Sequence, residues 1–277
     1  MADRAARRAQ RDAFLNKIGK RPVVMGILNL TPDSFHDGGR FAGTDAALGH
    51  ARAMAQAGCD VVDVGGESTR PGAAPVAEAE ELRRIETVFA ALVAALEVPL
   101  SIDTSKSAVA ARALELGAIL VNDVWGLQKD PAMAATVAAA DAAVVVMHNR
   151  LQKDPAIDII ADIRAFFARS LALAQAAGIP RSRVILDPGV AFGKTSRQNV
   201  QVIERIAELF DFGCPILVGL SRKAFLGSLA DGQPEASLVG TVAANLAAYA
   251  AGASVFRVHD VAEHVAAFEV FRALRPS

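Results

Sequence analysis

The feature that most constrains this chain is a series of short, continuous apolar runs, set roughly 33 residues apart and separated by segments of helical periodicity. The runs fall at residues 23–28, 60–65, 99–102, 118–122, 142–147, 183–186, 215–220 and 254–258. Each is apolar throughout rather than alternating, which is the pattern of parallel strands covered on both faces. The helical segments between them include 45–57, 77–96, 105–116, 157–177 and 238–251. Gly58, Gly117, Gly178 and Gly252 follow four of these segments and suit left-handed caps, and Thr44 is a candidate N-cap for the first. Eight strand–helix units predict an α/β fold, a (β/α)8 TIM barrel. The competing architecture is a doubly wound open sheet. That fold usually has fewer strands and a glycine-rich first turn, and no G-x-G-x-x-G follows the first run. No linker-like shift in composition interrupts the pattern, so residues 21–277 are expected to form one domain. Residues 1–20, with six Lys or Arg against two Asp, form a short basic arm that reads as a solvated or frayed helix.

Composition excludes several classes. Apolar residues make up 52% of the chain and charged residues 21%, so the bulk of it is not disordered. A net charge of −1 gives no global electrostatic reason to bind nucleic acid or a membrane surface. Cys59 and Cys214, the only cysteines, are too few for a disulfide framework and read as buried thiols of a reducing compartment. The long apolar stretches are broken by Asp141, Asn245 and Gly252, short of a membrane span. With no apolar leader in the first twenty residues, the expectation is a soluble cytoplasmic protein.

In a barrel, chemistry gathers at the C-terminal ends of the strands. Read in order, those ends are Asn29, Gly65-Gly66-Glu67, Asp103, Asn122-Asp123, His148, Asp187, Ser221-Arg222-Lys223, and Arg257 with His259. Any one of them is an ordinary solvated strand end or helix cap, as Asp103 before Thr104-Ser105 illustrates. The mixture of amides, carboxylates and bases is less easily explained that way. Asp103, Asn122 and Asp187 match a flat heterocycle with an amino–imino edge, a pterin or a purine, because carboxylates accept from ring N–H and amino groups. Lys223, Arg257 and His259 offer positive charge to a phosphate or pyrophosphate. The loops at 29–39 and 65–72 are rich in Gly, Pro, Ser and Thr and fit segments that close over a substrate.

The segments MGILNLTPDSFHDGG, DVGGESTRPGA, SIDTSK, VND, VVMH, ILDPGVAFGK, LVGLSRKAFLG and RVHDV resemble the motif set of bacterial dihydropteroate synthase, and they cover every predicted strand end. The resemblance implies a TIM-barrel transferase of folate biosynthesis, usually a homodimer. Such an enzyme joins (7,8-dihydropterin-6-yl)methyl diphosphate to 4-aminobenzoate and releases pyrophosphate, with Mg2+. It further implies that Asp103, Asn122, Asp187 and Lys223 hold the pterin, with Met147 on the ring. Arg257 and His259 would bind the diphosphate with Thr69. Asn29 would be the protein ligand of Mg2+, and Asp37 would lie near the metal and the reacting carbon. Phe35, Pro71, Phe192 and Ser221 would shape the 4-aminobenzoate slot, and Arg70 and Gly219 complete the substrate-binding set. By the same likeness Asp37, Lys223 and Arg257 are the catalytic candidates.

Three positions depart from the family pattern. His36 replaces a usual serine, Ala191 stands where many members have glycine, and Ala224 replaces a serine whose hydroxyl helps hold the 4-aminobenzoate carboxylate. That contact then falls to backbone N–H groups at the following helix. No insertion lengthens the 65–72 loop or separates Phe192 from Gly193, so sulfonamides are expected to compete with 4-aminobenzoate. Two rival readings share the barrel. One is the pterin-binding barrel of a corrinoid-dependent methyltransferase, and the other is a catalytically silent pterin-binding subunit. The joint presence of Ser68-Thr69-Arg70-Pro71-Gly72, Ser221-Arg222-Lys223 and Arg257-x-His259 favours the synthase over the methyltransferase barrel, and the intact loop pair and Asn29 argue against a silent subunit.

Overall fold

A computed structural model describes residues 4–30, 39–67, 75–230 and 237–274. The described residues contain an eight-stranded parallel sheet in the order β6-β5-β4-β3-β2-β1-β8-β7. Its strands are β1 (Val23–Asn29), β2 (Val61–Gly65), β3 (Leu100–Asp103), β4 (Leu120–Asp123), β5 (Ala143–Met147), β6 (Val184–Asp187), β7 (Leu217–Val218) and β8 (Val255–Val258). A bridge between Leu186 and Ile216 joins β6 to the start of β7, so the sheet closes into a barrel. All eight predicted strands are present. β7 is the shortest, with two residues, Ile216 before it forming the isolated bridge to Leu186.

The outer ring comprises α2 (Gly39–Gln56), α3 (Glu78–Ala95), α4 (Ser107–Leu116), α5 (Met133–Ala139), α6 (Ile159–Ala176), α7 (Ser196–Glu204), α8 (Ala224–Leu229), α9 (Leu238–Ala250) and α10 (Val261–Leu274). Gly58, Gly117, Gly178 and Gly252 all have positive φ, between 85° and 132°, as their cap roles require. Thr44 differs from expectation: α2 begins at Gly39, so Thr44 lies inside the helix and is not its N-cap. Asp103 does not cap α4 either, since the Ser107 N–H donates to Asp130 instead, at 2.7 Å. Both cysteines are buried and unpaired, and burial pushes the Cys59 thiol up to about 12. Among the described residues no helix is long and apolar enough to cross a membrane.

Alternation along the strands separates two cores. Val62, Val64, Ile102, Val121, Val144 and Val146 face the helices, whereas Met25, Val61, Leu120, Val145, Ile185, Leu217 and Val255 fill the barrel. The N-terminal segment also departs from the frayed helix the sequence predicts. It forms α1 (Arg4–Leu15), and its Phe14 is 1% exposed within the inner cluster. Arg11 pairs with Asp12 and Asp141. Thus α1 stoppers the end of the barrel nearest the strand N-termini. Phe14→Ala should cost roughly 3–5 kcal/mol, the range for deleting a buried aromatic ring. Urea unfolding would measure it, and a loss below about 1 kcal/mol would show that α1 does not contribute to the core.

Candidate active site

The polar residues enter the barrel by the same period of two that builds its apolar floor. Two residues beyond Val61, Leu120, Ile185 and Val255 come Asp63, Asn122, Asp187 and Arg257, on the same strand faces but nearer the C-terminal rim. Asp103 ends β3 and Met147 ends β5. Asp63, Asp103, Asn122, Met147 and Asp187 are all buried. Arg257 reaches across the mouth: its Nε donates to Asp63 Oδ2 and its Nη2 to Asp103 Oδ2, both at 2.6 Å. The Asn122 amide donates to the same Asp63 oxygen at 2.9 Å. Asp63 Oδ1 and Asp103 Oδ1 are buried without a hydrogen-bond partner among the described residues.

The carboxyls are shifted as this burial requires. Desolvation pushes Asp103 up to about 7, with Arg257 opposing the rise and the neighbouring carboxylates Asp63, Glu81 and Asp123 adding to it. Desolvation likewise pushes Asp187 up to about 6, against the Gly189 N–H, which donates to its Oδ1 at 2.7 Å, and the Lys223 charge. Arg257 therefore lies between two carboxylates in this structure, not apart from them as the charge pattern of the sequence predicts.

On the β7–β8 side, Ser221 Oγ lies 3.0 Å from His259 Nδ1 and accepts from the His259 N–H at 3.2 Å. Lys223 Nζ sits 4.4 Å from the centre of the Phe192 ring. Among the described residues, other than its chain neighbours, a Cβ at Gly219 would meet no atom within 4 Å. Asn29 ends β1, partly exposed, in register with Gly65. Phe35, Asp37, Thr69, Arg70 and Pro71 lie outside the described residues. The structure thus brings together Asp103, Asn122, Met147, Asp187 and Arg257, with Ser221 and His259 paired and Phe192 against Lys223.

Two elements escaped sequence reasoning. Asp63 is the hub of the cluster, and its signal was a carboxylate inside an apolar strand, VVDVG. The second is Lys194, which is 1% exposed and pushed down to about 7 by desolvation. Glu67 is also fixed rather than loose: its carboxylate accepts from Lys106, at 2.5 Å, and from the Val76 N–H, at 3.0 Å, while Lys106 also binds buried Glu81.

A carboxyl raised from 3.8 to about 7 binds its proton more tightly in the folded chain than in the unfolded one. Its stabilising contribution is full below the unfolded value and is lost as pH rises through the folded one. Between pH 5 and 8 the stability of the wild type relative to Asp103→Asn should therefore fall, by roughly 2 kcal/mol. Urea midpoints at the two pH values test this, and a pH-independent difference would show that Asp103 is already ionised at pH 5.

Comparison with known proteins gives a consistent picture. Residues 25–259 match the family model described as pterin binding enzyme. The chain is 41% identical over 258 residues to the dihydropteroate synthase of Escherichia coli (strain K12), covering 91% of each protein. It is 47% identical over 259 residues to a probable bifunctional folylpolyglutamate synthase/dihydropteroate synthase of Haloferax volcanii, of which it spans only 30%. A crystal structure of dihydropteroate synthase from Clostridium difficile, in the presence of pteroic acid, superposes with a TM-score of 0.90 at 45% identity, covering 94% of this chain and 99% of that one. The enzyme from Xanthomonas albilineans with 4-aminobenzoic acid gives 0.86 at 42% identity, covering 92% and 94%. With these motifs on a closed barrel and that identity over most of its length, the chain belongs to the dihydropteroate synthase family of pterin-binding enzymes.

Proposed function

We propose that this chain joins (7,8-dihydropterin-6-yl)methyl diphosphate to 4-aminobenzoate, releasing pyrophosphate and 7,8-dihydropteroate. The observation that carries this reading is the buried, unpartnered Asp103 Oδ1, set among Asn122, Asp187 and Arg257 above a sealed apolar floor. A carboxylate oxygen left without a donor is costly unless a ligand supplies one, and the amino–imino edge of a pterin does. Met147 then lies beneath the ring and Lys223 beside it. The amine nitrogen of 4-aminobenzoate attacks the methylene carbon, forming a C–N bond. The C–O bond to the diphosphate breaks with its electron pair leaving on oxygen, and the nitrogen's proton passes to water. No protein nucleophile is required. What the chain supplies is orientation of two substrates and countercharge for the leaving group.

Arg257 and His259 are the proposed countercharges, with Thr69, and Asp37, Arg70, Phe35 and Pro71 are proposed to act from the two loops. Arg257 gives up part of its hold on Asp103 in this role and keeps Asp63. The donor set fits Mg2+ carried mainly by substrate phosphates, since Asn29 offers one hard, neutral amide oxygen at the rim. Bound there, Mg2+ supplies further neutralisation of the departing diphosphate. Phe192 and Ser221 shape the slot for the second substrate. Ala224 is exposed at the start of α8, so the carboxylate of 4-aminobenzoate relies on backbone N–H groups there.

A cytoplasmic homodimer is part of the same reading. Leu229, Leu238, Val239, Val270 and Leu274 are exposed on α8, α9 and α10 and offer an apolar face to a second copy. Sedimentation equilibrium decides it, a monomer at micromolar concentration being the contrary result.

Turnover with the two substrates tests the chemistry, and the methyltransferase and silent-subunit readings predict none. Asp187→Asn should lower kcat/KM by about 2–4 kcal/mol while leaving folding nearly unchanged, and chelation of Mg2+ should abolish turnover. Wild-type kinetics in that variant, or full activity in metal-free enzyme, would remove these assignments. Sulfonamides should inhibit competitively with 4-aminobenzoate. Ala224→Ser should lower the inhibition constant and the 4-aminobenzoate KM together, by up to the 1.5–3 kcal/mol (about) of one charged hydrogen bond. An inhibition constant hundreds of times above that KM, on the order of 3 kcal/mol, would reveal discrimination in the loops.

A further inference from the structure

Lys194 is a buried cation to which substrate binding gives no task. Lys194 ends the segment 188–194 that follows β6, and it is 1% exposed. Its ammonium carries three N–H bonds and meets three acceptors: the Gly189 carbonyl at 2.7 Å, the Phe192 carbonyl at 3.2 Å and His148 Nδ1 at 2.8 Å. Its donors are thereby used up. In its protonated form Lys194 only donates, so His148 Nδ1 accepts and the ring proton belongs on Nε2, which faces Asp162 Oδ2 at 3.0 Å. Burial and the Lys194 charge hold His148 neutral, down at about 3. Asp162 also accepts from Arg150 at 2.6 Å, so a continuous network runs from α6 through His148 to two carbonyls of the loop.

That loop is wound against its own preferences. Gly189, Ala191 and Gly193 alternate in the left-handed region, at φ of 64°, 70° and 58°. A Cβ at Gly189 would lie 1.8 Å from the His148 carbonyl oxygen, and one at Gly193 would lie 2.4 Å from that of Arg150. Ala191 adopts the same conformation without a glycine's freedom, its N–H held by Asn199 Oδ1 at 2.7 Å. This winding brings the carbonyls of residues 189 and 192 onto one ammonium. Remove that ammonium, and the Phe192 carbonyl and an imidazole nitrogen lose their donor, while the Gly189 carbonyl keeps only the Phe192 N–H, at 3.1 Å.

The effect reaches the substrate side through Phe192, whose ring lies 4.4 Å from the Lys223 ammonium. We propose that Lys194 is a positioning residue: by clamping the Gly189 and Phe192 carbonyls it holds the Phe192 ring against Lys223 and so sets recognition of the aryl-amine substrate. Asp187 is the less affected neighbour, because β6 itself pairs with β5 and fixes it. The identity of the aryl amine rests on the proposed function; the clamp does not.

Lys194→Met tests the idea, with Lys194→Gln as a milder variant whose amide keeps two N–H donors. Hydrogen exchange should accelerate at amides 189–193 and stay unchanged in β6. The KM for 4-aminobenzoate should rise about tenfold, while that for the pterin diphosphate stays within about threefold. Because Lys194 acts through Phe192, Lys194→Met combined with Phe192→Ala should be no worse for the 4-aminobenzoate KM than the more severe single change. Unchanged exchange at 189–193, or additive effects on that KM, would overturn the proposal. So would faster exchange throughout the strands in both variants, since Lys194 would then be a general stability residue. A wild type that does not turn over 4-aminobenzoate would instead remove the proposed function, and the exchange measurement would still decide the clamp.

Discussion

Arg257 between Asp63 and Asp103 is the interaction on which the mouth of this barrel depends. One guanidinium from β8 spans β1 to reach carboxylates on β2 and β3, at 2.6 Å to each. A buried ion pair repays its desolvation only with good geometry and further hydrogen bonds, and here Asn122 adds a second donor to Asp63. The balance is still two carboxylates to one cation, with two carboxylate oxygens unpaired. Desolvation, with that excess adding to it, holds Asp103 up near 7, and the unpaired oxygens suit a ligand that brings N–H donors of its own.

Such a cluster requires a rigid support, and the closed barrel supplies it. The inner faces of the strands are apolar at one end and polar at the other, with the change occurring within two residues on each of four strands. Phe14 of α1 covers the apolar end, so water has no route to the charges from below. The polar groups consequently meet water only at the C-terminal rim, where backbone N–H groups and loop residues bind ligands in barrels of this kind.

Asp187 and Phe192 show how a strand and its loop share the work. β6 fixes Asp187 through regular pairing with β5, whereas Phe192 lies in a segment with three left-handed residues that no ladder supports. The positional precision of that segment comes from side chains, chiefly Lys194 and Asn199. Loops held this way can be stiff without being regular.

The sequence by itself determined the eight strands, the glycine caps and the strand-end residues Asp103, Asn122 and Asp187, because continuous apolar runs and φ-positive glycines are local signals. It also carried the family, through long motifs at every strand end. Only the tertiary structure decided that Arg257 belongs with Asp63 and Asp103, partners 194 and 154 residues away, since no local pattern records which charges meet across a barrel. The same holds for Phe14, whose helix reads as a charged arm until the open barrel end gives one ring a place to be buried. Lys194 lay in full view inside ILDPGVAFGK, yet its burial and its three acceptors exist only once the loop has coiled around it.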